Sequence, residues 1–305
     1  MSVGEETTLA NGHPLPMTWA DSPQRPNRPW RRAVSRLGKS RPGLVLAALF
    51  FTFLAVAALQ PAWLASGDPL AANARMAFRA PGEAHWLGTD ENGRDIFTRL
   101  VHGVRPSLLV GLAATAIGVG AGVAVGLLAG LGHRVVDGLI MRGVDVLLAF
   151  PDLLFALVII TFWGQGTFNT IVAVGIASVP RYARMVRAQA HVVRRAGYVE
   201  AARTLGLSNP ALVFRHILPN AVKPILVLSI IGIGGKIAAG ASLSFLGFGA
   251  PPPSPEWGSM LSVGRNFLGN AWWLTAAPAA AITLTVLSLT ALGREIVRRT
   301  EGRAP

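Results

Sequence analysis

The sequence contains no cysteine, which excludes disulfides and thiolate metal sites. Charge is scarce as well: 14% of its 305 residues are Asp, Glu, Lys or Arg, and only 15 are acidic. The six histidines, at positions 13, 85, 102, 133, 191 and 216, form no HExxH pair or other helical ligand set, so nothing supports a zinc enzyme or membrane protease. Ser107, Ser242 and Ser244 have no base at a suggestive spacing. Residues 33–40, AVSRLGKS, end like a phosphate-binding loop. Ala33, however, stands where the leading glycine is needed, and no buried strand precedes it. With no nucleotide site and no catalytic constellation, the chain reads as a non-enzyme without a cofactor of its own. Sustained dyad alternation is missing, which argues against a β-barrel, and no solenoid-type repeat is visible.

Apolar length is what the chain has in excess. Mean hydropathy is +0.47 and 51% of residues are hydrophobic. Runs of at least ~18 apolar residues are long enough to cross a hydrocarbon core of about 30 Å as helices. Six such spans are expected: Gly43–Leu59, Pro106–Leu131, Leu139–Trp163, Phe168–Val186, Ala221–Leu246 and Trp272–Leu292. The fold class is therefore an all-α polytopic membrane protein. Seven Lys/Arg precede the first span, eight lie in Arg181–Lys223, two in Arg134–Arg142 and four after the last span. The loops Gln60–Arg105 and Gly247–Ala271 hold six, matched by six carboxylates. By the positive-inside rule both termini and the 181–223 loop face the cytoplasm. The net charge of +13 then reflects topology and attraction to anionic lipid rather than nucleic-acid binding. The expected organisation is a basic, disordered cytoplasmic tail at 1–42, a first span (an uncleaved anchor) with its outer loop at 43–105, a transmembrane core at 106–293, and a cytoplasmic tail at 294–305.

The most informative segment is Glu200–Pro219, EAARTLGLSNPALVFRHILP, a charged island between long apolar spans. Its pattern predicts two short helices broken at Gly206, a residue able to take positive φ at a helix C-terminus. Pro219 suits the first turn of the helix that follows. The segment resembles the EAA loop of ABC importer permeases: Glu200, Ala201, Ala202, Gly206, Leu218 and Pro219 all match, and only His216 departs, standing at an aliphatic position. In the outer loop, HWLGTDENGRDIFTRLVHGVRPSLL reads as turn and capping chemistry, with Asp90 or Asn92 opening a short interfacial helix that carries Ile96, Phe97 and Leu100. Asp90, Glu91 and Asp95 lack EF-hand spacing, so no metal is expected there. The same stretch closely resembles the GTDxxGRDxxxR segment of the dipeptide/oligopeptide/nickel branch of those permeases. MRGVDVLLAFPDLLFAL (141–157), YARMVRAQ (182–189) and SLSFLGFGAPPPSPEWGSML (242–261) continue the likeness in order.

The resemblance implies a type I ABC importer permease fold with a cytoplasmic EAA coupling loop in the bacterial inner membrane. It further implies a homologous second permease, two ATPase subunits that bind ATP and Mg, and an extracytoplasmic substrate-binding protein. Glu200–Leu207 would be the coupling helix, with Ala201 and Ala202 allowing close docking and Glu200 meeting a basic group. Di- or oligopeptides come first as substrate, then a nickel chelate or other small solute. An ion-driven secondary transporter is the rival from another class, but it predicts inverted repeats that are not found. A non-transport membrane scaffold would need no coupling loop.

Five further expectations come from the residues themselves. Gly118, Gly122, Gly126 and Gly130 form a small-residue row for close helix packing or sliding. Pro151 kinks the third span. The arginines at 181, 184, 187, 194 and 195 anchor helices at the inner surface. The PPPSPEW segment carries Glu256 and Trp257 to an outer gate, a docking rim or a lipid-facing anchor. Last, Asp152 and Lys236 fall at matching depth inside two spans, where each charge costs about 2.5–3.5 kcal/mol. They are expected to face the translocation path, either as an ion pair or as receptors for the two ends of a zwitterionic substrate.

Overall fold

The apolar runs become helices because in hydrocarbon every backbone polar group has to be satisfied within its own segment. The computed structural model describes residues 41–300. The expected tail at 1–42 therefore lies almost wholly outside the described residues, as do the AVSRLGKS segment and the last five residues. The helices are α1 (Arg41–Leu59), α2 (Ile96–Leu131), α3 (Arg134–Ala149), α4 (Asp152–Trp163), α5 (Thr167–Arg194), α6 (Gly197–Thr204), α7 (Asn209–Leu212), α8 (Leu218–Phe245), α9 (Trp257–Gly264) and α10 (Trp273–Thr300). A π turn, Val213–Ile217, joins α7 to α8. No β-strand occurs among the described residues, only an isolated bridge between Thr89 and Asp95.

Among the described residues, four helical stretches are long and apolar enough to cross a membrane: Pro42–Leu59, Ile96–Leu131, the continuous Asn209–Phe245 and Trp273–Thr300. The pair α3/α4 adds a fifth if it counts as one span. Of the six expected spans, two come out differently. Leu139–Trp163 is not one kinked helix: it breaks at Phe150–Pro151 into two helices bent by 95°. The expected Phe168–Val186 span lies in α5, 28 residues long, whose second half is too rich in arginine to pass on apolarity. Those arginines are matched by carboxylates on α3 and α4. Arg187 grips Asp137 through two bonds of 2.5 and 2.6 Å, Arg184 pairs with Asp145, and Arg181 reaches Asp152 at 2.7 Å. Of the five arginines expected to anchor at the inner surface, these three are spent on pairs within the chain, while Arg194 and Arg195 are exposed.

The glycine row sets the central packing. A side chain at Gly122 would run into Tyr182 and Ala183, at Gly126 into Ala183 and Val186, and at Gly130 into Ala190, all on α5. With only hydrogens on that face, α2 and α5 approach backbone to backbone along most of their length, which is how helices gain contact where lipid supplies no hydrophobic drive. Around this pair stand α8, α10 and α1.

α2 also departs from expectation at its start. It runs unbroken from Ile96 through Pro106, and its N-cap is Asp95, which accepts the Thr98 amide at 2.8 Å, rather than Asp90 or Asn92. The helix survives the proline because its first turns are gripped by a buried cluster: Ile96, Val101 and Val104 pack with Leu54 and Ala57 of α1, Trp257 of α9 and Leu274 of α10.

Candidate functional site

The EAA segment forms α6 and the turn after it. Val199 and Ala202 are buried against Val193, Leu212, Ile217 and Ala221, so this side of the helix belongs to the chain's own core. Glu200 and Ala201 are exposed. The two alanines thus divide their duties: Ala201 is open to a partner, and Ala202 is not, contrary to the expectation that both serve docking. Helix α6 ends at Gly206, where φ is +86°. The Gly206 amide donates to Arg203 and the Leu207 amide to Ala202, at 3.0 and 3.2 Å. This is the doubly bonded C-terminal turn that favours glycine. It leaves Tyr198, Ala201 and Leu205 on one outward stripe, with Leu205 82% exposed and Phe214 nearby in the chain at 70%. Leu218 and Pro219 open α8 directly after the π turn, so Pro219 sits in a first turn within a continuous helical run.

The second feature is a cleft of about 500 Å³ between α4, α5 and α8, lined by Asp152, Arg181, Tyr182, Gly235, Lys236 and Ser242 among others. Asp152 and Lys236 do share this cavity, but no direct ion pair joins them, because Asp152 is held by Arg181. Asp152 lies in the first turn of α4, where the helix dipole favours a carboxylate. Lys236 is buried on α8, its ammonium 5.8 Å from the centre of the Tyr182 ring.

The end of the bundle where α2 begins is a cap of loops closed by buried polar contacts. Arg99 donates to the carbonyls of Pro69 and Ser254, at 3.2 and 3.3 Å, and lies 3.6 Å from Asp90. Asp90 in turn accepts the Asn92 and Arg94 amides. Glu256 and Trp257 are 3% and 1% exposed, which corrects the expectation that their side chains meet lipid or a docking partner. Glu256 caps α9 by accepting the Gly258 and Ser259 amides. The Trp257 indole donates to the Leu100 carbonyl at 3.0 Å. The residues left exposed on this segment are Pro251, Pro252 and Pro253. Trp257→Phe, which keeps the ring and loses that donor, is expected to cost about 1 kcal/mol. Thermal unfolding of the purified protein would register it, and an unchanged midpoint would deny the indole bond any weight.

An exposed apolar stripe on a short loop helix, a polar cleft among long helices and a closed cap of loops are thus the three features of the chain. Residues 122–302 match the family described as binding-protein-dependent transport system inner membrane component. The chain belongs to this family. Its relatives include the dipeptide transport system permease protein of Alkalihalophilus pseudofirmus, 39% identical over 87% of both chains. The glutathione transport system permease protein of Pectobacterium atrosepticum is 43% identical over 70% of this chain and 71% of its own. Among solved structures, the inward-facing MetNI methionine ABC transporter gives a TM-score of 0.55 at 21% identity, covering 66% of this chain and 95% of that one. An amino acid ABC transporter crystallised with histidines gives 0.52 at 20%, covering 67% and 94%. These likenesses establish the fold, that of ABC importer permeases.

Within this inner membrane component, sequence reasoning singled out the 200–219 segment and the two charges that share the cleft, Lys236 buried and Asp152 half-exposed. It missed the roles of Arg181 and Tyr182 in the cleft, and of Tyr198, Leu205 and Phe214 on the outer face of the loop. One signal was available: Arg181, Arg184 and Arg187 recur every three residues, facing a row of aspartates at 137, 145 and 152.

Proposed function

We propose that this chain is one permease half of an ATP-binding-cassette importer for di- or oligopeptides, coupled through α6 to a separate ATPase. The observation that carries the reading is the outward stripe of Tyr198, Ala201 and Leu205, an apolar surface left exposed among the described residues, with the His216 ring beside Tyr198. Contiguous exposed apolar side chains beside polar ones mark a protein interface. Glu200, exposed at the first turn of the same helix, meets a basic group of the partner. Gly206 fixes the angle at which the stripe is presented, and Leu218 and Pro219 connect it to α8.

In this reading six segments cross the membrane, with α3/α4 as one bent crossing and α5 sheltered by its aspartate partners. Both termini and α6 lie in the cytoplasm, as the basic loops require. The complete importer has a homologous second permease, two ATPase subunits holding ATP and Mg, and an extracytoplasmic binding protein that docks on the outer cap beside Pro251–Pro253. The cleft holding Asp152 and Lys236 is this chain's share of the translocation path, and ATP-driven rocking between two packings opens it alternately to either side. The peptide class is supported by the relatives named for dipeptide and glutathione transport, whose names share peptide chemistry.

Inverted membrane vesicles are not needed to test this; right-side-out cells suffice. Uptake of a labelled dipeptide should persist when the proton gradient is collapsed with ATP maintained, and disappear when the partner ATPase is deleted. Uptake that follows the ion gradient and ignores the ATPase would establish a secondary transporter instead.

A further inference from the structure

Three charged side chains line the cleft: Asp152, Arg181 and Lys236. The first two neutralise one another at 2.7 Å. Lys236 is different. It is nine-tenths buried, and among the described residues its ammonium has no hydrogen-bond or ion-pair partner; it stands 5.8 Å from the centre of the Tyr182 ring. Tyr182 is itself buried, and its hydroxyl lies against Gly232, one turn before Lys236, where an added side-chain carbon would sit 2.8 Å away. The other hydroxyls of the lining are committed to their own helices: Ser178 donates to the Gly175 carbonyl at 2.7 Å and Ser242 to the Ala238 carbonyl at 2.9 Å. The cavity therefore carries one positive charge in excess, on a buried side chain.

An unpaired ammonium in low-dielectric surroundings is held at a cost that an arriving anion removes. The aromatic face beneath it offers partial compensation in the meantime, since a cation within about 6 Å of a ring centre is attracted to it. A volume of about 500 Å³ falls in the range of small-molecule sites, roughly 300–1,000 Å³. Resting on the reading of this cleft as the translocation path, we propose that Lys236, backed by Tyr182, receives the free carboxylate of the substrate. The substrate class is then zwitterionic or anionic peptides. The Asp152–Arg181 pair forms a charge-neutral wall facing this receptor and does not serve as the seat of the substrate's ammonium group.

The absence of native cysteine allows a direct test. Gly235 lines the cleft next to Lys236, and a side chain there meets nothing within 4 Å. In the full importer, Gly235→Cys is reacted with the anionic 2-sulfonatoethyl methanethiosulfonate and the cationic 2-(trimethylammonium)ethyl methanethiosulfonate. The anionic-to-cationic rate ratio should fall at least about 5-fold when Lys236→Met is added, and return with Lys236→Arg. The same ratio should stay within about 2-fold when Asp152→Asn and Arg181→Gln are introduced together, since that pair is neutral. In parallel, Lys236→Met should slow uptake of a labelled dipeptide by about 10-fold or more, with the chain's membrane level unchanged and Lys236→Arg restoring most of the rate. A ratio indifferent to Lys236 overturns the proposal even where dipeptide uptake is normal. A cell that takes up no dipeptide with the unaltered chain, yet shows the Lys236-dependent ratio, overturns the peptide reading and retains Lys236 as an anion receptor.

Discussion

Leu205→Asp should abolish transport while leaving the chain folded and in the membrane. Leu205 is 82% exposed at the C-terminal end of α6, just before the turn at Gly206, so the substitution disturbs no internal packing. Its effect falls on whatever covers the stripe it shares with Tyr198 and Ala201. Apolar anchors near the centre of an interface typically cost 2 kcal/mol or more when lost, about a 30-fold weakening, and a buried carboxylate without a partner adds to this. Co-purification of the ATPase should fall by at least that factor, with the helical circular dichroism unchanged. Glu200→Lys, at the other end of the helix, should weaken the contact less, because a charge at a rim acts partly through solvent. Full co-purification and full uptake with Leu205→Asp would show that α6 is not the coupling surface.

Arg99→Met should destabilise the cap of loops at the start of α2 by about 3 kcal/mol, because it strands Asp90 with one cation fewer in a buried setting. Arg99 and Asp90 are each 6% exposed. The same guanidinium ties two distant loops to α2 through the Pro69 and Ser254 carbonyls. Three polar groups would lose a partner at once. Adding Asp90→Asn should recover part of the loss, since the amide oxygen still accepts the Asn92 and Arg94 amides without a charge to compensate. Thermal unfolding of the single and double variants measures that recovery. Strictly additive losses would mean that Arg99 acts only through the two carbonyls.

What the sequence disclosed followed from spacing, and what it concealed depended on direction. The glycine at 206 announced its turn because few other residues take φ near +86°. The row from Gly118 to Gly130 announced close packing, though not that α5 was the partner. The phase of α6 was hidden: eight residues are too few to fix a face, so Ala201 and Ala202 looked equivalent until Val199 and Ala202 were found turned together into the core. Asp152 and Lys236 were paired by depth alone. Depth ignores azimuth, and the break at Phe150–Pro151 aims Asp152 at Arg181, 29 residues further along. Trp257 was misread for a related reason. Prolines stiffen a segment without saying which way it points, and here it points inward, onto the Leu100 carbonyl. The continuity of α2 through Pro106 was beyond local rules, since it is enforced by neighbours from three other helices.

The elbow between α3 and α4 behaves as a crank. Its two arms are fastened to one shaft, α5, by ion pairs on either side of the bend: Asp145 with Arg184 before it and Asp152 with Arg181 after it. Helix α4 has 12 residues, an arm of ~18 Å at 1.5 Å per residue, so turning it by ~10° sweeps its far tip through ~3 Å. Such a turn would displace Trp163 and the Gly164–Gly166 corner while scarcely moving Asp152 at the pivot. A small torque on the end of α5 that runs on into α6 would thereby be converted into travel at the far tip of α4 without any helix having to bend.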